Sequence, residues 1–210
     1  MLAQLVLFDG FDPLDVVAPY EVLAASGVMT VELVSAEGER EVPSGVGALS
    51  LRATARLEPQ RADLVVVPGA AGTPEDGIAN IPAVFEKALA TNLSPLLREA
   101  CQRPGLTVAT VCGGSLLLAA AGLITGRHAT THHLGLRALA ESGAHVVAAR
   151  VVDDGDLVTG GAVTSGLDVA LHLLEREVGP KVAHSVERLF DYERRGVVWR
   201  DRGPEPVLPA

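Results

Sequence analysis

Aromatic residues are scarce in this 210-residue chain. Phe, Tyr and Trp make up 3% of it, although 48% of the residues are hydrophobic. A core of this composition is built from Val, Leu, Ile and Ala, which suits a parallel sheet covered by Ala- and Leu-rich helices. Cysteine is nearly absent: Cys101 and Cys112 are the two in the sequence. Two do not make a disulfide framework, and no CxxC or Cys/His spacing points to zinc. Basic residues are outnumbered, 17 Lys and Arg against 26 Asp and Glu for a net charge of -9. No basic run exceeds Arg194-Arg195, so nothing electrostatic favours nucleic acid as a partner. Long apolar runs are missing too; "SLLLAAAGLITG" is too short to cross a bilayer. Met1 is followed almost at once by "LAQLVLF", with no basic segment or signal cleavage site before it. The expected location is the cytoplasm, where a reactive thiol stays reduced.

What is present is an alternation of short apolar β-branched runs with helical patterns. Strands are expected at 5–8, 31–36, 63–68, 106–111 and 146–152, in "LVTGGA", and as a short piece in "HATTHH". Helices are expected at 19–25, with Pro19 in the first turn, at 83–101 with a break near Pro95, at 115–121 and 134–142, in "SGLDVALHLLERE", and at 181–195. Residues 37–56 read as a small hairpin set off from the main sheet. Alternation throughout implies right-handed crossovers and a single α/β domain, a doubly wound parallel sheet sandwiched by helices. That domain is expected to span residues 1–200, with the proline-rich residues 201–210 as an extended or docked tail.

In open α/β sheets ligands bind beyond the carboxyl ends of the strands. Three such ends carry unusual residues: "FDGFDPLD", "PGAAG" and "VCGGS". Cys112 lies between a buried strand and a helix, with glycines after it. That placement fits a nucleophile elbow, with the helix N-terminus favouring the thiolate and the Gly113 or Gly114 N–H groups binding an oxyanion. It equally fits a structural cysteine in a Gly-rich turn. Gly69 and Ala70 offer N–H groups for the opposite wall, or simply an ordinary tight turn. Asp15, among apolar residues before a helix, is a helix cap or an acid beside the thiol with its pKa raised by burial. His132 is placed to approach the thiol or to occupy a surface turn. Cys101 lacks a positioned partner and reads as structural.

The blocks "VLFDGFDPLDVVAPYEVL", "DLVVVPGAAG", "VATVCGGSLLLAAAGLITGRHATTHH" and "DLVTGGAVTSGLDVAL" resemble, in this order, the ThiJ/PfpI superfamily. They are most similar to its branch of isonitrile hydratases and amidotransferase-like domains of AraC-type regulators. The resemblance covers about residues 2–177 and implies a flavodoxin-like fold, a homodimer, and no metal or organic cofactor. It places the nucleophile at Cys112, its acidic partner at Asp15, oxyanion donors at Gly69, Ala70 and Gly113, and an auxiliary histidine at His132. Gly113 stands where isonitrile hydratases usually carry threonine and the peptidase-like branch histidine, which sets the peptidase-like chemistry aside. His133 stands where the hydratase branch more often has an aromatic residue.

The resulting expectation is a cysteine-dependent hydratase or lyase acting on a small molecule, converting an isonitrile and water into an N-substituted formamide. Two alternatives use the same sulfur. One is glyoxalase or deglycase chemistry on reactive aldehydes; the other is non-enzymatic sensing of oxidants or small molecules through oxidation of Cys112.

Overall fold

The computed structural model describes residues 1–72 and 77–204. Its strands are β1 (Leu2–Leu7), β2 (Thr30–Ser35), β3 (Arg40–Pro43), β4 (Ser50–Ala53), β5 (Ala55–Arg56), β6 (Leu64–Val67), β7 (Thr107–Thr110), β8 (His128–Ala129), β9 (His145–Val146), β10 (Val151–Asp153) and β11 (Leu157–Gly160). Its helices are α1 (Pro13–Ala25), α2 (Ile81–Leu89), α3 (Leu93–Gln102), α4 (Gly114–Ala120), α5 (Leu136–Glu141), α6 (Ser165–Glu177) and α7 (Pro180–Phe190). Seven strands form the main sheet in the order β10-β11-β7-β6-β1-β2-β5. All its pairings are parallel except that of β10 with β11. The five strands β2-β1-β6-β7-β11 follow the flavodoxin order. β6 and β11 are buried at every residue, as strands covered on both faces must be. Right-handed crossovers put α1 and α6, which pack together, and α7 on one face. The α2, α3, α4 and α5 helices cover the other. The strand order reverses between β1 and β6, the switch point at which such sheets form their crevice.

Several boundaries differ from the sequence reading, each for a local reason. Helix α1 begins at Pro13, not Pro19. Asp12 caps it, accepting the Leu14 N–H at 3.0 Å, and Pro13 takes the first position. Pro19 is thus inside the helix, where Gly166 lets α6 close in; a Cβ on Gly166 would lie 2.9 Å from Pro19 Cδ. The expected break near Pro95 falls instead at residues 90–92. There the Thr91 hydroxyl donates to the Ala88 carbonyl at 2.8 Å and accepts from the Leu93 N–H at 3.1 Å. Pro95 sits in the first turn of α3, where its missing N–H leaves no gap. The strand expected at 146–152 is two pieces, β9 against β8 and β10 against β11. The helix expected to reach 195 ends at Phe190, because Asp191 turns left-handed (φ 48°) and the Tyr192 N–H returns to the Glu187 carbonyl at 3.0 Å. The hairpin expected within 37–56 is β3 paired with β4. The last residues of the tail, 205–210, lie outside the described residues.

Beyond α7 the chain returns to the sheet. Trp199 pairs with β10, and Arg200 reaches Asp153 at 3.0 Å. The Asp153 side chain, 5% exposed, also meets His172 at 2.7 Å and Arg176 at 3.2 Å. Burial alone would raise its pKa, but the His172 hydrogen bond, the Gly155 N–H and the Arg176 charge outweigh it and hold the carboxyl well below the usual range. A depressed folded-state pKa means that the stabilisation is present above the unfolded value of about 3.9 and is lost as pH falls below it. Asp153→Asn is expected to cost about 3 kcal/mol at pH 7, since the arginines lose a buried counterion. It is also expected to flatten the fall of stability between about pH 5 and pH 3. Denaturant melts of both proteins across that range check this; parallel curves contradict it.

Candidate active site

Cys112 lies one residue beyond the end of β7 and has φ 53°. With Asp191 it is one of two non-glycine residues of left-handed backbone among the described residues. Such a conformation costs on the order of 1–3 kcal/mol and persists only where the surroundings enforce it. Three contacts do so. The Gly114 N–H closes the turn on the Val111 carbonyl at 2.9 Å. The Thr131 hydroxyl donates to the Cys112 carbonyl at 2.9 Å. Gly114 lies so close to β6 that a Cβ on it would stand 2.2 Å from the Val67 carbonyl oxygen. Only glycine fits there, and this contact seats the start of α4 on the neighbouring strand.

Asp15 is the third residue of α1 and is fully buried. Its Oδ2 accepts the Gly69 N–H at 2.9 Å, while Oδ1 has no hydrogen-bond partner among the described residues. The carboxyl faces the Cys112 thiol. Burial above all, and then the charge of Asp12, raise its pKa well above the ordinary carboxylate value; the Gly69 N–H and the thiol offset this in part. The capping role left open for Asp15 in the sequence belongs to Asp12.

The electrostatics of the thiol also differ from the sequence expectation. The Gly113 N–H does favour the thiolate, but burial, and then the charge of Asp15, push the Cys112 pKa up. Two acids facing each other in a dry site do not both ionise readily, so the pair keeps a proton far above the usual carboxylate range. Cys101, half-buried in α3, is pushed up to about 11, chiefly by burial.

The glycine-rich turn after β6 is tied to the turn after β1. The Asp12 N–H donates to the Gly69 carbonyl at 2.9 Å and the Ala71 N–H to the Gly10 carbonyl at 3.1 Å. A Cβ on Gly69 would fall 2.7 Å from the Gly113 nitrogen and 2.9 Å from Asp15 Oδ2. Gly69 is therefore required for close approach, but its N–H is spent on Asp15. The expectation that it holds developing charge on a substrate is corrected: it holds the carboxyl. Ala70 and Gly113 do line a cavity of about 330 Å³ over Cys112.

His132 lines the same cavity. Its Nδ1 accepts the Leu134 N–H at 3.4 Å, its ring lies 4.2 Å from that of His133, and no hydrogen bond joins it to Cys112 among the described residues. Burial, and then His133, lower its pKa. Sequence reasoning missed Asp12, which lines the cavity and whose Asp-Pro signature was available, and Thr131, which holds the elbow. It also missed the apolar walls supplied by Ile81, Pro82 and Leu116. Among the described residues no group of three or more His, Cys, Asp or Glu is placed to hold a metal.

Comparison with known proteins places the chain among relatives. The model of the DJ-1/PfpI family matches residues 1–176. An isonitrile hydratase of Pseudomonas putida is 37% identical over 188 residues, 89% of this chain and 76% of the relative. The HTH-type transcriptional regulator GbdR of Pseudomonas aeruginosa is 31% identical over 134 residues, 58% of this chain but 36% of the regulator. The chain thus matches only about a third of that regulator's length. Among solved structures, a THiJ/PfpI family protein from Pseudomonas syringae superposes with a TM-score of 0.79 at 26% identity, over 93% of this chain and 76% of that one. Drosophila melanogaster DJ-1beta superposes with a TM-score of 0.76 at 21% identity, over 91% and 98%, and shares the fold.

Because the Asp15 charge is one of the forces raising the Cys112 pKa, Asp15→Asn is expected to move the alkaline rise of Cys112 alkylation to lower pH. Iodoacetamide labelling read by mass spectrometry from pH 6 to 11, with Cys101 as internal reference, checks this. An unmoved profile means that the carboxylate does not act on the thiol.

Proposed function

The chain belongs to the DJ-1/PfpI family, and from that premise we propose that it is a cysteine-dependent hydratase which converts an isonitrile and water into an N-substituted formamide. The observation that carries this reading is the pairing of Cys112, which lines a largely apolar cavity, with the buried Asp15 behind it, whose pKa is raised well above the ordinary carboxylate value. The similarity to an isonitrile hydratase along most of the chain supports it.

The chemistry needs a proton and a nucleophile at one carbon. The terminal carbon of an isonitrile carries a lone pair and accepts a proton. Asp15, whose raised pKa lets it hold a proton above the ordinary carboxylate range, supplies that proton, and the Cys112 sulfur bonds to the same carbon. The product is a thioimidate, and the thiol proton returns to the Asp15 carboxylate. Water then adds across the carbon–nitrogen double bond, its oxygen to carbon and a proton to nitrogen, with Asp15 relaying protons. Collapse breaks the carbon–sulfur bond, restores the thiol and releases the formamide. Overall one water is consumed and no electrons change hands. The Gly113 and Ala70 amides, lining the cavity beside the sulfur, stabilise charge at nitrogen and oxygen. Gly69 and Asp12 act at one remove, Gly69 by fixing the carboxyl and Asp12 by raising its pKa.

We also propose that the chain forms a homodimer. Exposed Leu14 and Val17 of α1, and exposed Val46 and Leu49 of the β3–β4 loop, whose Gly45 N–H bonds the Phe11 carbonyl just before α1, support this.

Cys112→Ala is expected to abolish isonitrile hydration, and Asp15→Asn to lower kcat/KM by roughly 10²–10⁴. In the wild type, activity is expected to fall on the alkaline side as Asp15 loses its proton. That limb lies well above the ordinary carboxylate range and is absent from the residual activity of Asp15→Asn. Formamide production across pH measures both. Wild-type rates in Cys112→Ala overturn the reading.

A further inference from the structure

The cavity over Cys112 adjoins a second depression on the outside of the helices. Ile81 and Pro82 of α2, Leu116 of α4 and Ala138 of α5 line it, and the same four residues line an outer groove of about 760 Å³ between those three helices. Phe85 and Leu89 of α2 extend the apolar lining outward. The depression exists because α4 presents small side chains, Ala119 and Ala120, where α2 and α5 flank it. The charged residues of the groove are Glu86 and Glu141, both acidic.

Gly113 sits beside this junction. Its backbone (φ -73°, ψ -2°) suits any residue. A Cβ there would make ordinary contacts, 3.4 Å from Phe85 Cζ and 3.5 Å from the Gly69 Cα. Neither backbone nor packing demands a glycine. Its consequence is space next to the sulfur on the side of Phe85.

We propose that the groove between α2, α4 and α5 is the subsite for the substituent of the substrate, and that the substrates are isonitriles bearing an extended, uncharged aliphatic group. That substrate class presupposes the hydratase activity proposed above; the subsite itself does not. An isonitrile is linear at nitrogen, so with its carbon on the sulfur the substituent points away along one axis and needs a continuing apolar channel. The four shared residues make that continuation. Glu86 disfavours an anionic substituent, Glu141 is paired with Arg137 at 2.8 Å, the Ser142 hydroxyl is committed to the Leu139 carbonyl, and the rest of the lining is mostly aliphatic and suits an apolar chain. Burial of each added methylene raises kcat/KM by roughly twofold to fourfold in a groove open on one side.

Two measurements test this with wild type, Ala120→Phe and the milder Ala119→Leu, each compared by the ratio of its rates on hexyl and methyl probes. The first is kcat/KM for n-alkyl isonitriles from methyl to hexyl. The second is alkylation of Cys112 by N-alkyl iodoacetamides of the same lengths, in which a sulfur–carbon bond forms, iodide leaves and the thiol proton passes to buffer; Cys101 serves as reference. In the wild type the hexyl-to-methyl ratio at Cys112 is expected to exceed ten in both assays, and to collapse at least fivefold when either alanine is enlarged. A flat wild-type series, or a ratio that survives both substitutions, overturns the subsite. If sedimentation shows instead that Ala120→Phe dissociates a dimer while the ratio is untouched, the groove is an interface between copies and the subsite is overturned. A chain-length gradient in alkylation without isonitrile turnover keeps the subsite and removes the hydratase reading. Turnover without a gradient does the reverse.

Discussion

One hydrogen bond organises this molecule's chemistry, from the Gly69 N–H to the buried carboxyl of Asp15. It joins the first turn of α1 to the turn after β6 across the point where the sheet changes winding sense, and it puts an acid beside a sulfur that lies just beyond β7. Everything near it is crowded. No side chain fits at Gly69 or Gly114, because each would drive into the backbone of the neighbouring turn or strand. The strained Cys112 backbone persists because these neighbours leave it no other course. The free energy spent on strain and on burying an acid is recovered from the extended apolar core behind it.

The electrostatic character of the site follows from dryness more than from formal charge. A short helix and a single amide favour a thiolate at Cys112, yet desolvation and a facing carboxyl oppose it and prevail. The same desolvation equips Asp15 to carry a proton at a pH where an exposed carboxyl is bare. A pair that stores protons suits addition to a carbon which must be protonated as it is attacked. A permanently ionised sulfur would suit a different reaction.

Much of this was legible in the sequence. "TVATVCGGS" announces a buried strand, a tight turn and a helix start, so the position of Cys112 at a strand end followed from local pattern alone. Glycines clustered in "PGAAG" pointed to a tight turn or to close approach of a ligand; what Gly69 closely approaches in the structure is Gly113 and Asp15. Which atom they approach was not legible, because the orientation of the Gly69 N–H is set by pairing with residues far away in the chain. The start of α1 was misplaced because Pro19 was weighed and the Asp12-Pro13 cap was not. The direction of the thiol shift was missed for a general reason. Helix ends can be read locally, whereas burial is a property of the assembled fold. The outer groove was hidden on the same ground, since α2, α4 and α5 meet only in three dimensions.

The returning C-terminal segment bears on a different matter. Backbone bonds from Trp199 occupy the outward-facing groups of Val151 and Asp153 on the outermost strand β10, while the opposite margin of the sheet, β5, is only two residues long. A seven-stranded sheet of β-branched residues is a ready template for accretion of further chains. Here one margin is covered and the other is too brief to nucleate it, so the same residues that finish the fold also keep it from growing.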